Sequence, residues 1–406
     1  MRFRALDGLR GLCALTVALL HFCDHLHLTA PAFLANSFAL VDFFFVLSGF
    51  VLAHAFFEDL AANGRGGLFA LRRIGRLYPL HFFILMLFLL AEITRWFAWR
   101  HGAAMQAQPF TGATSSDSLV TNLLLLQSMN LHDGITWNFP SWSISVEFYT
   151  NLLFAAVMAL PLRANVPLDV VLRRKTWGAA LLALTGGAFT VWASSQDLVM
   201  TFDDGFARCV YGFFCGVLVQ RLRAAGRDPL RLLPRLLVGA LEIGVTLAII
   251  AFITYGGKLW LFGLAPLAFA AATMVFAREE GPFSRLMLTR PFLAIGEWSY
   301  SIYMVHAFLL VNILGRMAST AGKHGWLGLD PAASADGGVY LAEIFNKGPL
   351  AAGTLIAVYV AAVLAFSSLT FRFIEKPARR WLNDLAARKA ASRSGAVEGL
   401  TGQLPA

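Results

Sequence analysis

Ten runs of about twenty mostly apolar residues divide this chain, and that length is what a helix needs to cross the hydrocarbon of a bilayer. They fall near Leu9–Leu28, Phe38–Phe57, Leu77–Phe97, Ile144–Leu160, Trp177–Ala193, Phe206–Leu222, Leu236–Thr254, Leu259–Phe276, Ile295–Leu314 and Leu350–Phe373. In lipid every backbone polar group must find its partner within the protein, and continuous apolar runs of this length select the helix. The expected fold is an all-α integral membrane protein, a single polytopic bundle of about ten transmembrane helices. The fourth and sixth runs are the least regular, because Glu147 and Arg208 interrupt them. Hydrophobic residues make up 58% of the chain and charged residues 14%, against roughly 45–50% and 25% in soluble domains. A soluble chain this long would divide into several cores. A bundle covered by lipid need not, so one membrane domain is expected over residues 4–380, followed by a short tail.

The net charge is +9, but its distribution argues against nucleic acid as a partner: there is no long basic face and no interleaved aromatic platform. The charges sit in short loops, where they set orientation. With the N-terminus in the cytoplasm, the inside loops hold Arg65, Arg72, Arg73 and Arg76; Arg163, Arg173, Arg174 and Lys175; Arg221, Arg223, Arg227, Arg231 and Arg235; and Arg278, Arg285 and Arg290. The C-terminal tail adds Lys376, Arg379, Arg380, Arg388, Lys389 and Arg393, while the outside keeps only Arg95, Arg100, Lys258, Arg316, Lys323 and Lys347. Both termini are therefore expected inside, in a multi-pass protein of the inner (plasma) membrane. The first run, preceded by Arg2 and Arg4, has the look of a signal peptide. No small-x-small cleavage site follows it, and it reads as an uncleaved targeting helix. Cys13, Cys23, Cys209 and Cys215 lie in apolar surroundings without CxxC spacing and read as free thiols.

Two outside loops are long. The first, from Ala98 to Trp142, contains an apolar run from Leu119 to Leu131 that is too short to span and is expected to be interfacial or re-entrant. The second runs from Arg316 to Lys347. Lys376 to Lys389 has the character of an amphipathic surface helix, and the basic tail over residues 381–406 is expected to be disordered. No internal repeat is visible, which weakens a reading as an inverted-repeat transporter.

Ionisable residues inside apolar spans are costly and mark function by default. Arg10 and His21 are eleven residues apart, about three turns, so they share a helix face, and a rise of about 16 Å carries His21 to mid-membrane. Counting from the span ends puts Ser48, Tyr303 and His306 near the same level, with Asp42 and Glu147 in the outer third. Each has a plainer use as well: a satisfied packing histidine, an interfacial carboxylate, or, for Arg72, Arg73 and Arg76, simple anchoring. His21, Asp24 and His25 lack the middle of an HExxH motif, and no metal is expected. GxGxxG, GxxxxGK[ST] and GxSxG are absent, so nothing points to a nucleotide-phosphate loop or a hydrolase elbow.

Several segments form a signature set. Leu6-Asp7-Gly8-Leu9-Arg10-Gly11 running to His21 reads as R-x10-H. Val41-Asp42-Phe43-Phe44-Phe45-Val46-Leu47-Ser48-Gly49-Phe50 resembles FF-x-LSGF, and Arg73-Ile74-Gly75-Arg76-Leu77-Tyr78-Pro79 reads as R-x-x-R-x-x-P. Trp142-Ser143-Ile144-Ser145-Val146-Glu147 resembles WSLSVE. Ser299-Tyr300-Ser301-Ile302-Tyr303-Met304-Val305-His306 and Ile374-Glu375-Lys376-Pro377 resemble SYSxYxxH and xEKP. Six motifs in this order, from Arg4 to about Arg380, resemble one family specifically, the acyltransferase-3 integral-membrane acyltransferases.

The resemblance implies transfer of an acyl group, often acetyl, from cytoplasmic acyl-CoA to an acceptor hydroxyl, commonly of an extracytoplasmic or lipid-linked glycan. Acyl-CoA is then a co-substrate, and no tightly bound cofactor is expected. Arg10, Arg73 and Arg76 near the cytoplasmic face suit the phosphates of the donor. His21 suits a general base or an acyl-accepting nucleophile. Glu147 or Asp42 would orient His21 or bind the acceptor, and Ser48, Trp142, Tyr303 and His306 would orient substrate. Trp137, Trp142 and Trp326 also have the chemistry to stack on a sugar ring. The rival reading is a transporter or flippase of a polar or amphiphilic solute that uses the same groups as a proton relay.

Overall fold

The computed structural model describes residues 3–103, 107–161, 166–196, 200–256, 259–330 and 337–401, with side chains described as far as Ala390. Arg2, Arg163 and Lys258 of the charge pattern, and the side chain of Arg393, lie outside the described residues. The main helices are α1 (Arg4–His25), α2 (Leu40–Asn63), α3 (Gly66–Arg100), α4 (Trp142–Ala159), α5 (Leu168–Ser195) and α6 (Gly205–Ala224). They continue with α7 (Arg235–Tyr255), α8 (Ala265–Phe276), α9 (Arg290–Phe308), α10 (Pro349–Thr370) and α11 (Lys376–Thr401). Among the described residues, eight helical segments are long and apolar enough to cross a membrane. The sixth and eighth expected runs differ: α6 carries Arg208, Arg221 and Arg223, and α8 has only twelve residues.

Local chemistry explains the ends. Gly64, at φ +63°, closes α2 with its N–H on the Leu60 carbonyl, in the left-handed conformation that costs glycine least. Pro349 opens α10 at a position where a missing N–H costs nothing. Two close helix crossings set the bundle. At the α2–α6 crossing, Gly49 lies on the Phe213 backbone and Gly216 on that of Val46. At the α1–α9 crossing, Gly11 meets Ile295 and Gly296 meets Asp7. Small residues permit such approach, and in lipid it is packing that holds helices together.

The loop between α3 and α4 is re-entrant. A short helix, Ser116–Leu123, is followed by irregular chain that enters the bundle. Tyr78 donates to the Leu123 carbonyl at 3.0 Å, and a ring nitrogen of His81 lies 2.8 Å from the Asn122 carbonyl. Ser145 donates to the Leu125 carbonyl at 2.6 Å and accepts from the Ser128 N–H at 3.3 Å. Irregular backbone survives in a membrane where protein partners satisfy it. The first turn of α4 therefore starts inside the bundle, beside residues only a few positions beyond the arginines of α3.

The stretch Lys376–Lys389, expected as a surface helix, is helical, and the helix runs on into the residues expected to be disordered. A π-helical turn, Phe371–Glu375, joins α10 to α11, and α11 lies along α3, where a Cβ at Gly75 would touch Leu382. Leu382 and Ala386 are buried there, so residue 380 is not a structural boundary.

Candidate active site

The arginines come first, because each is held differently. Arg10 donates from Nε to Ser299 Oγ at 2.7 Å and from Nη2 to the Gly296 carbonyl at 3.1 Å, with Asp7 at 3.4 Å. Arg73 donates to Glu147 Oε1 at 3.1 Å, and Ser48 donates to the same oxygen at 2.8 Å. Arg73 Nε is buried without a protein partner, an arrangement native structures leave only when something else satisfies it. Arg76 pairs with Glu375, to which Ser301 also donates at 3.0 Å. Its guanidinium lies 5.5 Å from the Tyr300 ring centroid.

These groups face one cavity of about 560 Å³. Its walls include Arg10, Ser48, Arg73, Arg76, Glu147 and Tyr303. Phe3, Asp7, Glu297 and Arg379 line its outer part, at the end of the bundle that carries the Arg-rich loops. Along α2 the lining runs from Phe56 to Phe44, about 18 Å at the helical rise. Its lining combines apolar side chains, most of them from α2, with the guanidinium groups of Arg10, Arg73, Arg76 and Arg379. Such a cavity can take a ligand with an anionic end and a long, less polar arm.

His21 does not line that cavity. Its Nδ1 lies 2.8 Å from His306 Nε2, with the ring planes 2° apart. Phe139, from the re-entrant segment, sets its edge on His21 at 4.8 Å and on His306 at 6.1 Å. His306 Nδ1 lies 3.2 Å from the Ile302 carbonyl. A carbonyl only accepts, so His306 Nδ1 carries the proton and its Nε2 is bare. That nitrogen then accepts from His21 Nδ1–H, and the lone pair of His21 is left on Nε2. The network thus assigns both tautomers, as an orienting partner does for a catalytic histidine.

Several expectations need correction. The span count put Glu147 in the outer third, but α4 begins within the bundle and Glu147 meets Arg73. Neither Glu147 nor Asp42 is a partner of His21; His306 fills that place. Asp42 gives both oxygens to Arg208, at 2.9 and 2.8 Å. Trp142 is buried, edge-on to Phe45, with Arg208 5.6 Å from its ring. Trp137 is buried too and donates to Ser118 at 2.9 Å, so neither ring presents a face to a sugar. Trp326 is exposed and stacks on His324. Sequence reasoning gave no place in the site to Ser143, Ser299, Tyr300 and Glu375, although all four stand within the segments that carry the family resemblance.

Residues 3–372 match the family model described as an acyltransferase domain. The chain is 26% identical over 410 residues to the acyltransferase MdmB of Streptomyces mycarofaciens, covering 94% of this chain and 93% of that protein. It is 33% identical over 168 residues to protein 2 in the picA locus of Rhizobium radiobacter, covering 38% of this chain and 81% of that protein. No solved structure matches. With a family match over nearly the whole length, on a multi-pass helical membrane bundle, the chain belongs to the acyltransferase-3 family of membrane acyltransferases.

Proposed function

We propose that this acyltransferase moves an acyl group, acetyl first among candidates, from cytoplasmic acyl-CoA to a hydroxyl of an extracytoplasmic or lipid-linked glycan, in the inner (plasma) membrane. The observation that carries this reading is one cavity lined by four guanidinium groups, those of Arg10, Arg73, Arg76 and Arg379, and also by Tyr303. Guanidinium forks hold phosphate bidentately, and the nucleotide end of acyl-CoA is its phosphate-rich end. Phosphate oxygens would compete with Glu147 for Arg73 and with Glu375 for Arg76, and would satisfy the buried Arg73 Nε.

His21 is the base in this reading. Its Nε2 lone pair takes the proton of the acceptor hydroxyl as the alcohol oxygen attacks the thioester carbon. The C–S bond then breaks, and the proton passes to the leaving sulfur. His306 holds the ring in the tautomer that leaves Nε2 bare. The same lone pair would also serve a covalent acyl-imidazole route. The choice of a glycan as acceptor follows the family resemblance.

The test uses protein in lipid nanodiscs with acetyl-CoA and envelope glycans of its host. Wild type is expected to release CoA and incorporate acetyl groups. His21→Ala is expected to lower both by about 100-fold or more, since a general base contributes about 10²–10⁴-fold. Transfer that survives His21→Ala would end the assignment of His21.

A further inference from the structure

Tyr303 touches both the cavity and the histidine pair. It lines the cavity, which His21 and His306 do not. Its ring meets Phe44, another lining residue, with centroids 5.8 Å apart, and meets His306 at 5.9 Å. Its hydroxyl accepts from Ser143 Oγ at 2.9 Å, at the start of α4. Tyr303 and Ser143 are both buried. The ring is thus placed to act as a partition, and a neutral hydrogen bond between α9 and α4 holds it there.

Resting on the donor reading above, the partition has a chemical use. A thioester, a general base and water in one compartment hydrolyse: water replaces the alcohol, the C–S bond breaks, and free acid and thiol result. A cavity open to the cytoplasm supplies water. An enzyme of this kind therefore gains by keeping the base out of the donor cavity until the acceptor hydroxyl is in place. We propose that Tyr303, latched by Ser143 and backed by Phe44, is the residue that makes this reaction specific for an alcohol over water. It acts as a positioning residue, holding His21 apart from the donor cavity. Acceptor binding on the histidine side is what exchanges the latch.

The experiment measures CoA release from acetyl-CoA in nanodiscs, with and without acceptor, for wild type, Tyr303→Phe, Ser143→Ala and the double variant. Wild type should release CoA mainly when acceptor is present. Each single variant should raise acceptor-independent release roughly 2- to 10-fold, the scale of one lost neutral hydrogen bond. The double variant should add little, because both changes remove the same bond. Tyr303→Ala, which removes the partition itself, should exceed all three. Ser143→Ala keeps the test alive should Tyr303 variants fail to fold. Single variants that lower both kinds of release in proportion, or change neither, would overturn the proposal. A wild type that releases no CoA from any acyl-CoA would overturn the donor reading, and this inference with it.

Discussion

Two of the arginine–carboxylate pairs within this bundle are built for different ends. Arg208 and Asp42 are saturated. Two parallel hydrogen bonds join them, Trp142 covers the guanidinium, and their side chains are 10% and 1% exposed. Neither residue lines the cavity, and the pair ties α2 to α6. Arg73 and Glu147 share a single contact, the acceptor oxygen is divided with Ser48, and Arg73 Nε goes unpartnered. Their side chains, 13% and 15% exposed, line the cavity. The same residue types thus serve as a rivet in one place and as an exchangeable site in the other. Saturation of the hydrogen bonds, rather than charge or depth, separates the two.

The comparison can be broken at its strong end first. Asp42→Ala leaves Arg208 buried and alone, and is expected to cost about 3–5 kcal/mol of stability, read as a lowered thermal midpoint and poor recovery from detergent. Asp42→Leu with Arg208→Met removes both charges and should recover most of that loss, since apolar replacements of a buried pair are often neutral. Failure of that rescue would mean that Arg208 has a further task. At the exchangeable site, Arg73→Ala should leave the thermal midpoint nearly unchanged and raise the KM for acyl-CoA about 10- to 100-fold, the scale of a charged hydrogen bond of about 1.5–3 kcal/mol. A large stability loss with an unaltered KM would turn Arg73 into a second rivet. Ser48→Ala is the finest probe. It removes one of two donors on Glu147 and should change KM by less than about 10-fold, with no change in folding.

Much of the fold was legible in the sequence. Helix α2, apolar from Leu40 to Phe57, has one physical solution in lipid. The basic loops orient it, and Arg10 and His21 share a face because helical geometry requires it. What misled was depth. Glu147 stands five residues into α4, and counting from a membrane surface gives the wrong level when the helix starts inside the bundle. That start depends on the loop Ser116–Ser141, whose carbonyls are satisfied by Tyr78, His81 and Ser145. Such partners are far away in the chain and carry no local period. The tail misled for a similar reason: its small, polar composition hides Leu382 and Ala386, which bury only because α3 offers Gly75.

By itself, then, the sequence determined the class of the molecule: a helical membrane bundle with its arginines toward one end, and with Arg10 and His21 on one face of the first helix. Those are consequences of local hydrophobicity, charge bias and helical rise, each of which acts within a single segment. Tertiary structure alone decided the partners. It set His21 against His306 rather than against a carboxylate, gave Asp42 to Arg208 and Glu147 to Arg73, and put Tyr303 in the cavity lining and against His306. Hydrogen bonds between helices depend on crossing points and side-chain reach, and those follow from how glycine contacts and a re-entrant loop bring distant segments together.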